Sequence, residues 1–473
     1  MSILSILSIL VLTLQNYRRL SYYFLLIMSL LSALSVALIW NKGIFWYEDL
    51  TVLYHLSSMN VNYIWAWDGI SLYMVLLSSF LLSLCLLNYW FIRYKLSLYA
   101  LLLWLSAFLL WNVFLSLDLY IFYIAFEGIL IPMVLLIGTW GSRSRKIYAA
   151  YQLLIYTLVG SVLVLVCLLS IWSHKGGSSW ECLAGSTHLK ERQIWIALLL
   201  ILGLGVKIPV IPVHIWLPEA HVEAPTPGSV ILAALVLKLG SYAWLKLLLP
   251  SSWEVWQEAW FLILLWAFLG LLFPSLVALS QIDMKKIIAY SSVAHMNFSL
   301  MGLFALNWSG LVGSFYMMLG HALTSGALFF GLGVLYDRYK TRLLFYYGGL
   351  ILTMPLFSII YFFFVLSNFA FPGSVNFAAE FLILLGAFEL SNVMLFFSSL
   401  ALILTLIYSL MFYNRIFMGF LPLSFIRFYS DLIRIEAWVL MPLWILVLIG
   451  GLKPSFFISF SISSLFKIHL HIL

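Results

Sequence analysis

The sequence contains too few charged residues to cover a surface that faces water. Aspartate, glutamate, lysine and arginine make up only 9% of the 473 residues, whereas a soluble domain carries about 25%. Cysteine is also scarce, and Cys85, Cys167 and Cys182 show no CxxC spacing. This composition excludes a soluble globular domain and offers no obvious ligand set for an iron–sulfur cluster or a structural zinc ion. The net charge of +7 comes from short loops and does not indicate nucleic-acid binding.

Long apolar runs recur from one end of the chain to the other. Hydrophobic residues make up 64% of the sequence, and the mean hydropathy is +1.10. A run of about 18 residues or more can cross a hydrocarbon core of about 30 Å as a helix. We therefore predict an all-α, polytopic membrane protein with about fourteen transmembrane helices. The predicted spans lie near residues 3–15, 21–40, 69–92, 97–117, 118–138, 147–172, 193–222, 227–249, 259–280, 285–306, 309–335, 350–388, 392–414 and 436–457.

The seventh and twelfth predicted spans contain helix breakers. The seventh holds Pro209, Pro212 and Pro218, and the twelfth holds Pro372 followed by Gly373. A proline inside a helix costs about 3 kcal/mol or more. Broken helices at matching places in paired repeats are typical of transporter binding sites. The layout predicts two five-helix repeats at 97–249 and 250–418, preceded by helices 1–3 in residues 1–96 and followed by an interfacial segment, the last helix and a tail in 419–473.

The positive charges are distributed unevenly between the two sides of this topology. Fifteen lysines and arginines fall in loops on one side, seven fall on the other, and Lys207 and Lys238 lie inside spans. Lys285, Arg338 and Arg342 belong to the fifteen, and Lys246 belongs to the seven. By the positive-inside rule, the fifteen face the matrix or the cytoplasm, and both chain termini face the opposite side.

Six ionisable residues lie near the middle of six different predicted spans. Four of them carry a charge, and a charge at the bilayer centre costs about 2.5–3.5 kcal/mol even on lenient scales. Such groups must therefore face a hydrated or paired interior. Moving the partner of a buried lysine favours release of its proton, which is what a pump requires. The predicted proton-transfer residues are Glu127, Lys207, Lys238, His295, His321 and Glu380.

Each buried group also has a structural interpretation. A lone intramembrane charge can be half of an ion pair, but four at similar depth favour function. His214 and His221, in the proline-rich seventh span, are secondary candidates for which both interpretations stay open. Asp68 and Asp118 begin spans, and N-terminal capping explains both. Because His214 and His221 lack HExxH spacing, we expect no metal site.

Five long segments carry a resemblance to a known family. They are AFEGILIPM at 125–133, GVKIPVIPVHIWLPEAHVEAPTPGSVILAALVLKLGSY at 205–242, QIDMKKIIAYSSVAHMN at 281–297, LGHALTSGALFFGLGVLYDR at 319–338 and FPGSVNFAAEFLILLGAF at 371–388. The segments resemble the subunit 4 family of proton-pumping NADH:ubiquinone oxidoreductase (respiratory complex I), and in particular its plant and algal mitochondrial members. Pro227 and the neighbours of His321, Gly320 and Ala322, depart from the family pattern.

The resemblance implies an antiporter-like, non-redox subunit of the membrane arm that translocates protons. In this family the glutamate of the fifth helix pairs with the lysine of the seventh, here Glu127 and Lys207. Lys238, His295, His321 and Glu380 fall on the other family positions. The resemblance further implies that NADH, FMN, iron–sulfur clusters and ubiquinone are bound by other subunits. The expected partners are neighbouring membrane-arm subunits and membrane lipids such as cardiolipin.

The same resemblance implies a multi-pass protein of the mitochondrial inner membrane, with both termini on the intermembrane-space side. Two other functions stay open at this point. The chain could be a component of a multisubunit Na⁺/H⁺ antiporter, since the buried charges alone do not distinguish Na⁺ from H⁺ coupling. It could also be an architectural subunit whose buried charges only hold helices together.

Overall fold

The computed structural model describes residues 51–56, 61–88, 94–175, 178–180, 190–420, 430–459 and 461–472. The first two predicted spans, 3–15 and 21–40, lie outside these residues, as does Cys182. The prediction for the N-terminal side of the membrane therefore stays a prediction.

A β-hairpin precedes the first described helix. Strand β1 (Thr51–Leu56) pairs antiparallel with β2 (Val61–Trp65), and the register shifts between Val52 and Tyr54. The alternation of polar and apolar residues here is short and lies beside the strongly apolar span that follows. The hairpin is an exception to the all-α prediction. It lies in the connection between the predicted spans 21–40 and 69–92.

Helices make up most of the described chain. They are α1 (Gly69–Leu87), α2 (Leu96–Leu115), α3 (Leu119–Gly128 and Leu130–Trp140, separated by Ile129), α4 (Lys146–Lys175), α5 (Lys190–Lys207), α6 (Trp216–Glu223), α7 (Thr226–Ser251), α8 (Trp253–Ser280), α9 (Met284–Phe304), α10 (Trp308–Tyr339), α11 (Pro355–Asn368), α12 (Val375–Leu390), α13 (Asn392–Phe417), α14 (Arg434–Leu452), α15 (Ser455–Ile458) and α16 (Ile462–Ile472). Short 3₁₀ turns lie at Leu344–Tyr346 and Leu350–Leu352.

Ten of these helices are long and apolar enough to cross a membrane. The prediction of a mostly helical, multi-pass membrane protein is confirmed at that level. Two further apolar segments of the described chain are interrupted at prolines and glycines. Helix α5 ends at Lys207 and α6 begins at Trp216, while α11 ends at Asn368 and α12 begins at Val375.

Helix α7 is also irregular. It contains two π-helical turns, Leu232–Val236 and Trp244–Leu248, on either side of Lys238. Single π turns inside α-helices are frequent at functional sites. Between them, Gly240 packs on the chain just after Lys207: a Cβ atom at Gly240 would lie 3.0 Å from the backbone nitrogen of Ile208. The absence of a side chain at Gly240 therefore lets α7 approach the interruption after α5.

Burial separates central helices from peripheral ones. In the apolar stretch of α10 every residue is buried, and in α7 and α9 94% are, against 33% in α13 and α14. The peripheral helices present Ile, Leu and Phe side chains outward, as a lipid-facing surface requires. The ionisable residues predicted on α7, α9 and α10 therefore lie at the centre of the helix bundle.

Two expected helix caps are confirmed. The Asp68 carboxylate accepts a hydrogen bond of 2.9 Å from the Ser71 amide, and Ser71 completes a capping box at the start of α1. The Asp118 carboxylate accepts one of 2.9 Å from the Tyr120 amide at the start of α3. Both carboxylates satisfy amides that the first turn of a helix leaves without a partner.

Three cations assigned to loops from the sequence lie in helices, and a fourth, Arg342, lies in its loop but is buried. Lys285 and Arg342 are only 4% and 2% exposed, and Arg338 forms a buried ion pair of 2.7 Å with Glu436. Lys246 lies inside α7 and forms an ion pair with Asp68. The assignment of Lys285, Arg338 and Lys246 to loops was wrong, whereas Arg342 lies in the loop after α10, as predicted. Each of the four has a carboxylate or carbonyl partner that is distant in the sequence and satisfies its charge.

Candidate functional site: a row of buried ionisable groups

Lys238 and His321 are in direct contact at the centre of the bundle. The Lys238 Nζ lies 2.7 Å from the His321 Nδ1 and donates a 2.6 Å hydrogen bond to the Ala233 carbonyl. Both side chains are 1% exposed. Ala233 belongs to the π turn that precedes Lys238, so the irregular backbone of α7 supplies one of the ammonium's acceptors. A proton can pass between Lys238 and His321 without any movement of the helices.

His295 continues this row from the neighbouring helix. Its ring centroid lies 5.5 Å from that of His321. The Nε2 atoms of both rings are buried, and neither has a protein hydrogen-bond partner among the described residues. Because one nitrogen of each ring is engaged and the other is not, each imidazole can accept a proton at one atom and release it at another.

Glu380 lies at the far end of the row. Its Oε1 lies 3.5 Å from the His295 Nδ1, and the carboxylate is buried with the residue 3% exposed. Glu380 stands on α12, two turns after the interruption at Pro372 and Gly373. Lys238, His321, His295 and Glu380 thus form one row that crosses helices α7, α10, α9 and α12. We refer to these four residues as the inner row.

Lys207 lies apart from the inner row. Its Nζ donates a 3.1 Å hydrogen bond to the Phe126 carbonyl and lies 3.9 Å from the centre of the Phe126 ring. An ammonium held over an aromatic face is stabilised by the ring's quadrupole. Phe126 stands in the last turn of the first segment of α3, where carbonyls lack helical partners. A backbone acceptor and a ring therefore hold the Lys207 ammonium.

Glu127, which the family resemblance pairs with Lys207, is not in direct contact with it. Among the described residues no ion pair within 4 Å joins the two, although their charges interact. The Glu127 side chain is only partly buried, and its buried Oε1 has no protein partner in the described part of the chain. The hydrogen-bond acceptor of Lys207 is the Phe126 carbonyl, one residue before Glu127. We refer to Glu127 and Lys207 as the outer pair.

The two secondary candidates, His214 and His221, lie beside the row and not in it. His221 is fully buried and stacks on Phe329 with ring centroids 4.8 Å apart. It is near enough to Lys238 for their charges to interact. His214 packs edge-on against Phe273 and Tyr290. Neither residue is bonded to the inner row, so their roles stay predictions.

A buried cluster that the sequence did not indicate lies at the end of α6. The Arg342 guanidinium donates to the Val222 carbonyl and lies 3.5 Å from Glu223 Oε1, and Lys285 donates a 2.8 Å hydrogen bond to the Ala224 carbonyl. These cations satisfy the carbonyls that a helix C-terminus leaves without partners. No local pattern predicts the cluster, since Arg342 lies 119 residues from Glu223.

The described residues contain no group of three or more histidine, cysteine, aspartate or glutamate side chains that could hold a metal ion. The expectation that this chain binds no cofactor stays a prediction.

A family model described as "NADH:quinone oxidoreductase/Mrp antiporter, TM" matches residues 116–407. The NADH-ubiquinone oxidoreductase chain 4 of Chondrus crispus is 44% identical over 440 residues, which cover 92% of this chain and 89% of that protein. The chain belongs to the NADH-ubiquinone oxidoreductase chain 4 family. The chain 4 protein of Arabidopsis thaliana is 45% identical over 400 residues, covering 84% of this chain and 81% of that one.

Solved structures share the fold of this chain 4 family member. A chain of respiratory complex I from Thermus thermophilus with bound NADH aligns with a TM-score of 0.90 at 24% identity, covering 98% of this chain and 99% of that one. A chain of the Mrp complex from Dietzia sp. DQ12-45-1b aligns with a TM-score of 0.89 at 18% identity, covering 99% and 96%. At these identities the likeness establishes the fold alone. All six predicted proton-transfer residues lie within the part of the chain that the family model matches.

Proposed function

We propose that this chain is a non-redox subunit of the membrane arm of NADH:ubiquinone oxidoreductase and translocates protons. Electron transfer from NADH to ubiquinone in other subunits drives the translocation. The observation that carries the proposal is the inner row, in which four ionisable side chains from four helices follow one another at the centre of a membrane protein. Lys238 lies 2.7 Å from His321, the two imidazole centroids are 5.5 Å apart, and His295 lies 3.5 Å from Glu380. Membership of the chain 4 family supports the same function.

The proposed transfer begins at Lys238. Its ammonium gives a proton to the Nδ1 of His321 across 2.7 Å. The ring then releases a proton from Nε2 towards His295, and one water molecule can bridge two buried polar atoms at such a separation. His295 passes the proton to the Glu380 carboxylate, 3.5 Å away. The cycle closes when Glu380 releases the proton, each imidazole ring returns its remaining proton to the original nitrogen by tautomerisation, and a new proton reaches Lys238.

The outer pair has a different proposed task. Lys207 keeps its proton while the Phe126 carbonyl and ring hold the ammonium. A change in the position or charge of Glu127 alters the potential at the chain between α5 and α7, where Gly240 packs against Ile208. When Glu127 no longer balances it, the Lys207 ammonium repels the Lys238 ammonium, and this repulsion is strong because both groups are desolvated. The repulsion favours proton release from Lys238.

The wider architecture belongs to the same proposal. We propose fourteen spans in which α5 with α6, and α11 with α12, are the interrupted seventh and twelfth. The two five-helix repeats, the domain limits at 96, 249 and 418, and both termini at the intermembrane space of the mitochondrial inner membrane also stay proposals. So do the partners: antiporter-like neighbours and membrane lipids, among them cardiolipin, with NADH, FMN, iron–sulfur clusters and ubiquinone held by other subunits.

A second candidate function is Na⁺/H⁺ exchange, which the antiporter named in the description of the family model favours. The two are distinguished in proteoliposomes that contain the assembled complex. Under the proposed function, NADH-driven acidification proceeds in sodium-free buffer and a sodium ionophore leaves it unchanged. Acidification that requires sodium would favour the exchanger.

The proposal is tested against a purely architectural role with His321→Asn. The amide keeps a polar group beside Lys238 but cannot take up and release a proton in the same way. We expect the complex to assemble in normal amounts and its rate of NADH-driven proton translocation to fall roughly tenfold or more. An architectural subunit would lose translocation only in proportion to lost assembly, and that result would refute the proposed role of the inner row.

A further inference from the structure

Tyr408 is a buried ionisable residue on α13 with no role in the transfer described above. It is 2% exposed, although α13 is one of the peripheral helices. Its hydroxyl faces Ser291 and Asn368 without a fully formed hydrogen bond to either. A buried hydroxyl without a partner costs about 1–3 kcal/mol. Such a cost indicates that a further polar group or a water molecule satisfies the hydroxyl.

A small cavity lies next to the Tyr408 side chain. Helices α9, α10, α11 and α13 line it, and Ser291, Asn368 and Ser409 supply its polar groups. The Ser291 hydroxyl donates its own proton to the Ile288 carbonyl at 2.8 Å, so its oxygen remains able to accept a hydrogen bond. A site with several polar groups of this kind can hold a water molecule.

The cavity lies close to the end of the inner row. Ser291 precedes His295 by one turn of α9, and Asn368 is the last residue of α11, at the interruption before α12. Tyr408 is also near enough to Glu380 for the two side chains to interact electrostatically. Tyr408 therefore lines the cavity and is within electrostatic reach of the acid that ends the row.

We propose that Tyr408 is a further proton-transfer residue that connects Glu380 with water in this cavity. The inference rests on the proposed proton translocation through the inner row. In the transfer, the Glu380 carboxyl that His295 has protonated gives its proton to the Tyr408 oxygen as the Tyr408 hydroxyl releases its own proton to a water molecule in the cavity. The water molecule carries that proton away, and Glu380 is again a carboxylate. No other bond changes, and Tyr408 ends each transfer as a neutral phenol.

The test compares two buried tyrosines that differ in their surroundings. Tyr408→Phe removes only the hydroxyl beside Glu380. The matched control is Tyr361→Phe on α11, because Tyr361 is 0% exposed, its hydroxyl also has no partner among the described residues, and no ionisable group lies beside it. We expect Tyr408→Phe to lower NADH-driven proton translocation per assembled complex roughly tenfold, and Tyr361→Phe to leave it at the wild-type rate.

An infrared difference spectrum gives a second readout that a structural role would not change. The carboxyl band of protonated Glu380, identified by its loss in Glu380→Gln, should shift in Tyr408→Phe and keep its position in Tyr361→Phe. If Tyr408→Phe does not assemble, Ser291→Ala tests the same contact by removing the hydroxyl on the cavity side, and it should also lower translocation.

The outcomes separate this inference from the proposed function. Loss of translocation in both Glu380→Gln and Tyr408→Phe supports both. Loss in Glu380→Gln with wild-type translocation and an unshifted band in Tyr408→Phe refutes the role of Tyr408 and leaves the inner row intact. Wild-type translocation in Glu380→Gln refutes the inner row, and the role of Tyr408 with it.

Discussion

The outer pair and the inner row each contain one lysine and one glutamate, but the two lysines have different surroundings. Each contains a lysine that is 1% exposed and lies near an irregular stretch of helix. Lys207 is held by a backbone carbonyl and an aromatic ring, neither of which can take up a proton. Lys238 lies 2.7 Å from an imidazole nitrogen, which can. Under the proposed mechanism, the acceptor beside each lysine, and not the depth of the lysine, decides whether it stores a proton or transfers it.

The largest expected effect is that of Lys238→Met. Methionine keeps the length of the side chain but removes the proton that His321 receives, so translocation per assembled complex should fall roughly tenfold or more. The measurement is NADH-driven acidification in proteoliposomes, normalised to assembled complex on a native gel. Lys453→Met, an exposed lysine after α14, is the control and should translocate at the wild-type rate. Equal rates in the two variants would remove Lys238 from the transfer.

A smaller effect is expected from the ion pair of Lys246 and Asp68, which joins α7 to the start of α1. Burial raises the pKa of the Asp68 carboxyl, but the Lys246 ammonium and the Ser71 hydrogen bonds outweigh it, so the pKa lies below its usual value. A carboxyl with a lowered pKa stabilises the fold above its unfolded pKa of about 4 and loses that contribution as the pH falls through the folded pKa.

Asp68→Asn should therefore lower the free energy of unfolding by about 1 kcal/mol at neutral pH, since both side chains keep some exposure. The difference from the wild type should shrink as the pH falls below about 4. Thermal unfolding of the detergent-solubilised complex at several pH values measures it, with translocation per assembled complex unchanged. A loss of translocation without a loss of stability would contradict a structural role and would mean that the pair of Asp68 and Lys246 takes part in proton transfer.

The residues of the inner row could be predicted from the sequence, because a charged residue in an apolar run has few explanations. Lys238 and Glu380 stand out from their neighbours, and the two histidines lie at similar depth. Their contacts could not be predicted, since Lys238 and His321 are 83 residues apart. The family resemblance also implied a pair of Glu127 and Lys207; their charges interact, and the pair stays a prediction. The Phe126 carbonyl that accepts from Lys207 could not be predicted, because a backbone carbonyl carries no signal of its own.

The helices of the fold and their interruptions could also be predicted from the sequence, but not the hairpin. Apolar length indicated helices, and proline and glycine indicated where they are interrupted. The hairpin of β1 and β2 was missed because five- and six-residue strands beside long apolar runs give a weak period-two signal. Lys285 was assigned to a loop, and the burial of Arg342 was not predicted, because a cation at the end of an apolar run looks the same whether it meets water or the carbonyls of α6.

The central claim is that Lys238 must release its proton while Lys207 must keep one. Arginine tests it most directly, because a guanidinium keeps its charge and does not release a proton in a protein. The measurement is NADH-driven proton translocation per assembled complex for Lys238→Arg and Lys207→Arg. We predict that Lys238→Arg stops translocation and that Lys207→Arg retains most of it. Wild-type translocation by Lys238→Arg would contradict the account.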